Sequence, residues 1–295
     1  MKALNWITNR HVVSALCAVP LLFTCAYASA EDAAPAAATA APAEPESPFT
    51  LSFNLGLYSE YMFRGVSLSD GPALQGGIDL GHSSGLYAGT WWSNTDPYFL
   101  GKGDGFSKGN HLETDWYVGY ARSFENGFGF NVMGNYYFYP EGERSYSAAN
   151  VGKKQNTFEA SIALTYKYLT YTYYRALTDY YGAASDNTID GTGDTKGADY
   201  HELKANYKLP VGGLNLLAKV GYQRVPNLLV NANEGDWAIG LNRDFAMPTG
   251  GKPIEGFNAG ATYTSTFNVK DQSYYVANGR DLNSNRIWFF VKRTW

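Results

Sequence analysis

The chain of 295 residues is short of cysteine, of histidine and of long apolar runs, and each shortage excludes a class of protein. Its two cysteines, Cys17 and Cys25, both lie near the start, so the chain beyond them holds no disulfide, thiol nucleophile or cysteine-ligated metal. That absence suits export through an oxidising compartment, where a stray thiol pairs wrongly. The four histidines are His11, His82, His111 and His201. No serine stands in a nucleophile motif, and His111 near Ser107 is the only pairing a hydrolase could use, so an enzyme is not expected. The longest apolar run, Val12 to Phe23, is interrupted by Ser14 and Pro20 and falls short of the roughly 20 residues of a spanning helix. No basic tail or patch offers a nucleic acid a place to bind.

What is present at the N-terminus reads as an address. Lys2 and Arg10 precede the apolar run, and Ala28-Ser29-Ala30 stands before Glu31 as a small-residue cleavage pattern, which predicts a signal peptide over residues 1–30. Leu22-Phe23-Thr24-Cys25 only loosely imitates a lipidation box, because Thr24 is a poor residue before a modified cysteine. Removing Lys2 and Arg10 would take the formal charge from −4 to −6. Residues 31–48 are almost wholly Ala, Pro, Glu, Asp, Ser and Thr, with nothing to bury, and predict a flexible periplasmic leader.

Aromatic residues make up 16% of the chain, with 24 tyrosines, yet mean hydropathy is only −0.31. A transmembrane β-barrel reconciles the two, since only alternate residues face lipid and the rest face a polar interior. Period-two alternation predicts twelve strands within residues 49–295. The first is expected over Leu51–Phe63, with Leu51, Phe53, Leu55, Leu57, Tyr61 and Phe63 outward. Others are expected over Phe128–Tyr139 and near 72–81, 86–94, 111–124, 158–166, 168–179, 199–209, 214–223, 235–245, 257–267 and 285–295. The Tyr171-Thr172-Tyr173-Tyr174 run leaves the facing of the seventh open. Lengths of 9–13 residues match the roughly 9–11 a tilted strand needs to cross a bilayer.

The connections alternate between short turns and long polar loops, as in barrels with short periplasmic turns and long extracellular loops. A sandwich would not produce that alternation. The end of the chain, with Ile287, Phe289, Val291 and Trp295 on one face and Arg293 as the interruption, predicts a closing strand that the barrel-assembly machinery reads. The expected fold is therefore all-β, a single transmembrane antiparallel barrel of the Gram-negative outer membrane, in contact with outer-membrane lipids. A monomer or a trimer is expected.

One stretch carries a family likeness. It reads Ser59-Glu60-Tyr61-Met62-Phe63-Arg64-Gly65-Val66-Ser67, then Pro72-Ala73-Leu74-Gln75-Gly76-Gly77-Ile78-Asp79, then Ser84 through Asn94 with Trp91-Trp92, and Glu113, Asp115, Gly119 and Tyr120 extend it. This resembles the TorF-type porins of proteobacteria, also described as the Gcw_chp domain, and departs from them at Leu68, where Gln is expected. The resemblance implies an outer-membrane barrel and a pore, with no substrate named.

By parity the inward faces carry Glu60, Arg64, Gln75, Asp79, Glu113, Asp115, Glu159, Glu202, Lys204, Lys208, Lys219, Asp236, Arg286 and Lys292. Charges are expensive in hydrocarbon, so these residues are expected to line the lumen, either as a selective channel wall or as an ion-pair network bracing a filled barrel. Arg64 reads either as a selectivity group near the mouth or, the favoured reading, as a structural residue beside a tight turn at Gly65 that pairs with an inward carboxylate such as Glu60 or Asp79. Asp186, Asp190, Asp194 and Asp199 lie on a glycine-rich loop, but their spacing fits no calcium motif. Trp91-Trp92 and Tyr136 to Tyr139 suit either a sugar platform or an interfacial girdle. No metal or cofactor is expected. The expected function is passive diffusion of small polar solutes with a weak cation preference, against a non-conducting adhesion or envelope barrel and, third, a lipid hydrolase.

Overall fold

The computed structural model describes residues 47–69, 71–96, 106–108, 110–144, 153–183, 188–189, 193–277 and 279–295. The expected signal peptide and nearly all of the leader, together with Asp186 and Asp190, lie outside the described residues, and so does the side chain of Ser107.

Twelve antiparallel strands close into one barrel. In chain order they are β1 (Phe49–Tyr58), β2 (Ala73–His82), β3 (Leu86–Asn94), β4 (Leu112–Ser123), β5 (Phe128–Phe138) and β6 (Thr157–Tyr166), then β7 (Leu169–Ala176), β8 (Asp199–Lys208), β9 (Leu214–Arg224), β10 (Glu234–Met247), β11 (Ile254–Phe267) and β12 (Arg286–Thr294). Each pairs with its sequence neighbours, and β12 returns to β1 with Leu57 opposite Val291 and Tyr58 opposite Phe290. Backbone bonds from Phe53 N to Trp295 O (2.9 Å) and from Trp295 N to Phe53 O (3.0 Å) extend that seam to the last residue. Closure leaves no edge strand exposed, the one arrangement of a sheet that satisfies every backbone group in a solvent without hydrogen-bonding partners. Among the described residues, the only helical segments are 3₁₀ turns.

Alternation decides which side chains go where. Val118 is 61% exposed and Phe289 57%, pointing outward, whereas Glu113 and Asp115 on the inward face of β4 are 1% exposed. Leu51, Ile78, Ile162, Leu203, Ile239 and Ile287 join a continuous apolar exterior. A patch far larger than a few hundred Å² on a monomer is a surface built to meet lipid or protein. The seventh strand resolves with Thr170, Thr172 and Tyr174 inward and Tyr171, Tyr173 and Arg175 outward. Arg293, outward by parity, turns its guanidinium to Glu255 O (3.2 Å) and over the rings of Phe257 and Trp295, keeping its charge at the rim.

One expectation fails. The first strand ends at Tyr58, and Tyr61 and Phe63 do not face outward: both are buried inside the barrel. The chain turns inward after Tyr58, and a second period-two segment there imitates a continuation of the strand.

Candidate functional site: a hairpin across the bore

The inward segment is a small hairpin, with Met62–Phe63 paired to Val66–Ser67. Its turn residues, Arg64 (φ 47°) and Gly65 (φ 84°), both have positive φ, as a two-residue type I′ hairpin turn demands. Gly65 suits that position at no steric cost, while Arg64 in the left-handed region costs about 1–3 kcal/mol. The side chain of Arg64 offsets this. Its Nη1 donates to Glu159 Oε1 (3.0 Å) and Gln223 Oε1 (2.7 Å), and its Nη2 donates to Glu159 Oε2 (2.8 Å). The guanidinium also sits 4.8 Å from the Phe63 ring centre, 5.1 Å from that of Tyr174 and 4.4 Å from that of Tyr200. Burial opposes the charge, but Glu159, joined by Tyr137 and Tyr181, outweighs it and holds the Arg64 pKa above the ordinary arginine range.

The partners of Arg64 show how far the hairpin reaches. It leaves the wall between β1 and β2, yet Glu159 is on β6, Tyr174 on β7, Tyr200 on β8 and Gln223 on β9. In a ring of twelve, those strands stand opposite its origin. A Cβ on Gly65 would lie 2.7 Å from Asp236 Cβ and 2.8 Å from Thr266 Cγ2, so the tip also abuts β10 and β11. The hairpin therefore spans the bore.

Its near side is held as well. Tyr61 OH donates to Glu113 Oε1 (3.0 Å), and its ring meets Trp91 edge-on at 5.3 Å. Phe63 packs edge-on against Tyr137 and Tyr181. Ser67 Oγ donates to Glu60 (2.5 Å), and backbone bonds join Ser67 N to Leu282 O and Asp96 N to Leu68 O, both 2.8 Å. Trp91 and Tyr137 are thus walls of the plugged bore, and neither is a sugar platform or part of a girdle. Trp92 and Tyr136 face out.

Of the fourteen residues expected at the lumen, all but Lys208 lie in the barrel interior or on the hairpin. Most are packed: Arg64, Gln75, Asp79, Glu113, Asp115, Glu159, Glu202, Lys219 and Asp236 are buried, while Glu60, Lys204 and Arg286 keep partial exposure. Arg64 pairs with Glu159 rather than with Glu60 or Asp79. Glu60 instead meets Arg286 at 3.2 Å. Lys219 lies 2.6 Å from Asp236 and 3.8 Å from Glu202, and Lys204 is 4.0 Å from Glu202. On β2 and β4 the partners differ: Asp79 accepts from Tyr117 OH, and Asp115 accepts from Asn135 Nδ2 (3.1 Å). Parity missed Tyr61 and Phe63, which hold the hairpin. It placed Gln223 inward on β9, as observed, but an uncharged side chain there gave no reason to single it out as a partner of Arg64. Lys208 is exposed at the short-turn end of β8, and Lys292 is buried on β12.

A family model described as a bacterial protein of unknown function (Gcw_chp) matches residues 42–295. The chain belongs to the Gcw_chp family. The bore-crossing hairpin lies within the matched region of this Gcw_chp chain. Among curated proteins, none matches it. Of solved structures, the NanC porin is similar at 11% identity, covering 83% of this chain and 98% of that one, with a TM-score of 0.48. The COG4313 outer membrane channel from Pseudomonas putida F1 is similar at 11% identity over 86% of this chain and 100% of that one, with a TM-score of 0.47. Overlap at that level carries nothing about cargo or oligomeric state.

Proposed function

We propose that this protein is a Gram-negative outer-membrane channel for small polar solutes, closed at rest by the hairpin at Arg64 and Gly65. The single observation that supports it most is the docking of that hairpin through one buried ion pair on the opposite wall. A filler needs only apolar contacts, whereas a buried charge that water can recover is a latch. The apolar exterior is the lipid-facing surface, the short turns face the periplasm and the long loops face outside. The C-terminal seam ending at Trp295 is what the assembly machinery would read.

With the hairpin released, the inward residues of the strands from Gln75 to Arg286 form the channel wall. Its cations Lys204, Lys219 and Arg286 are each within 4.0 Å of a carboxylate, and the departure of Arg64 frees Glu159. Asp79, Glu113 and Asp115 meet hydroxyl or amide donors instead. The excess of acid on β2–β4 favours cations. Single-channel recording of the purified chain in planar bilayers tests the reading. Rare, brief steps with a cation-selective reversal potential are expected, and a folded protein that never conducts would overturn it. That outcome would leave a non-conducting envelope barrel, which the dense packing around the hairpin favours.

A further inference from the structure

Resting on the outer-membrane reading, a second site emerges on the lipid-facing surface. Nearly all of the outward residues at the long-loop end of the strands are apolar or neutral, such as Leu112, Phe138, Phe158 and Phe267. On β7–β9 the pattern breaks. Arg175 lies opposite Asp199, and Asp199 opposite Arg224, so three charged residues form a row across adjacent strands. With strands about 4.8 Å apart, the two arginines are held roughly 10 Å from each other.

Exposure within the row is asymmetric. The Asp199 side chain is 4% exposed, whereas that of Arg224 is 60% exposed. Asp199 Oδ2 accepts from Arg224 Nε at 3.1 Å, so the carboxylate sits behind the guanidinium and orients it. Arg175 is also exposed and is steadied by Nη1 donating to Tyr173 OH (3.3 Å). Two guanidiniums with one shielded carboxylate leave a net positive face at the height where tyrosines mark the interface. His201, one step deeper, is tied to Tyr171 OH (2.7 Å). Arg224 Nη2 also donates to Asp199 Oδ2 (2.5 Å), so one edge of its fork is taken and the outer N–H groups remain. Guanidinium N–H groups bind phosphate oxygens, and hydrocarbon offers those that remain on the two arginines no partner.

We propose that Arg175 and Arg224 bind the phosphate groups of a glycolipid in the external leaflet, fixing one such lipid against the β7–β9 wall. The test is native mass spectrometry of the refolded full chain with bisphosphorylated lipid A and with the same lipid dephosphorylated. Retention of the phosphorylated lipid about tenfold stronger is expected, a preference lost in Arg175→Gln/Arg224→Gln and partly kept in Arg175→Lys/Arg224→Lys. Equal retention of the two lipids by the wild type overturns the assignment, whatever the folding of the variants. Displacement of the lipid by millimolar inorganic phosphate would also overturn it, since a free anion would then be the ligand. An epitope in the 225–233 loop, probed on intact cells, separates the two readings. If it is shielded, the membrane orientation falls and takes this site with it. If it is exposed while the lipids bind equally, only this site falls.

Discussion

Replacing Glu159 by Gln removes half of the latch without changing its shape. Arg64 would keep one neutral acceptor where it had a carboxylate, inside a site where it is 4% exposed. Removing one partner of a buried pair costs about 3–5 kcal/mol, because the remaining charge is left uncompensated. The hairpin offers an escape, since swinging Arg64 into water recovers its hydration and relieves the left-handed strain at its backbone. The penalty should therefore appear as hairpin release more than as unfolding of the barrel. At about 1.4 kcal/mol per tenfold, 3–5 kcal/mol shifts the docked-to-released ratio by roughly two to three and a half powers of ten. In planar bilayers, Glu159→Gln should open for a far larger fraction of the record at unchanged step size. The double replacement Arg64→Met/Glu159→Met removes both charges and should restore closure, since an apolar pair of similar volume needs no partner in water. Traces of Glu159→Gln that match the wild type, from protein of equal thermal stability, would refute the reasoning.

Four further outcomes are expected. Gly65→Val places a side chain against Asp236 and Thr266 at a backbone angle valine avoids, so a single-cysteine reporter at Val66 should label faster in that background than with Gly65 intact. Gly221→Val pushes into the Tyr200 ring that faces Arg64, and overpacking of about 1–3 kcal/mol should lower the unfolding midpoint in urea. Deleting Trp295 removes the two backbone bonds to Phe53 and a ring stacked at 6.3 Å, and should leave more of the protein heat-sensitive on gels. Asp79→Asn combined with Glu113→Gln should move the reversal potential of any open state toward zero, and an unchanged potential would place selectivity elsewhere.

The strands were legible because lipid outside and polar groups inside impose the same period-two rule on every crossing. β3 spans Leu86–Asn94, the range that alternation predicts, and the two classes of connection follow. The site was only half legible. Parity puts Arg64 and Glu159 on the interior, but their pairing joins positions 95 residues apart, and only ring closure sets them face to face. Tyr61 and Phe63 were misread because the hairpin repeats the strand's alternation, and nothing local distinguishes an inward fold from another two residues of strand. The Tyr171 to Tyr174 run hid its facing for a different reason: tyrosine is at home in both a lipid girdle and a packed bore.

The most direct measurement is the conductance of a chain in which residues 60–68 are replaced by a short Gly-Ser turn. The excised protein should refold as a heat-modifiable barrel and pass a steady current where the intact chain is mostly silent. A correctly folded excision variant that stays as silent as the parent would show that the hairpin does not close the bore.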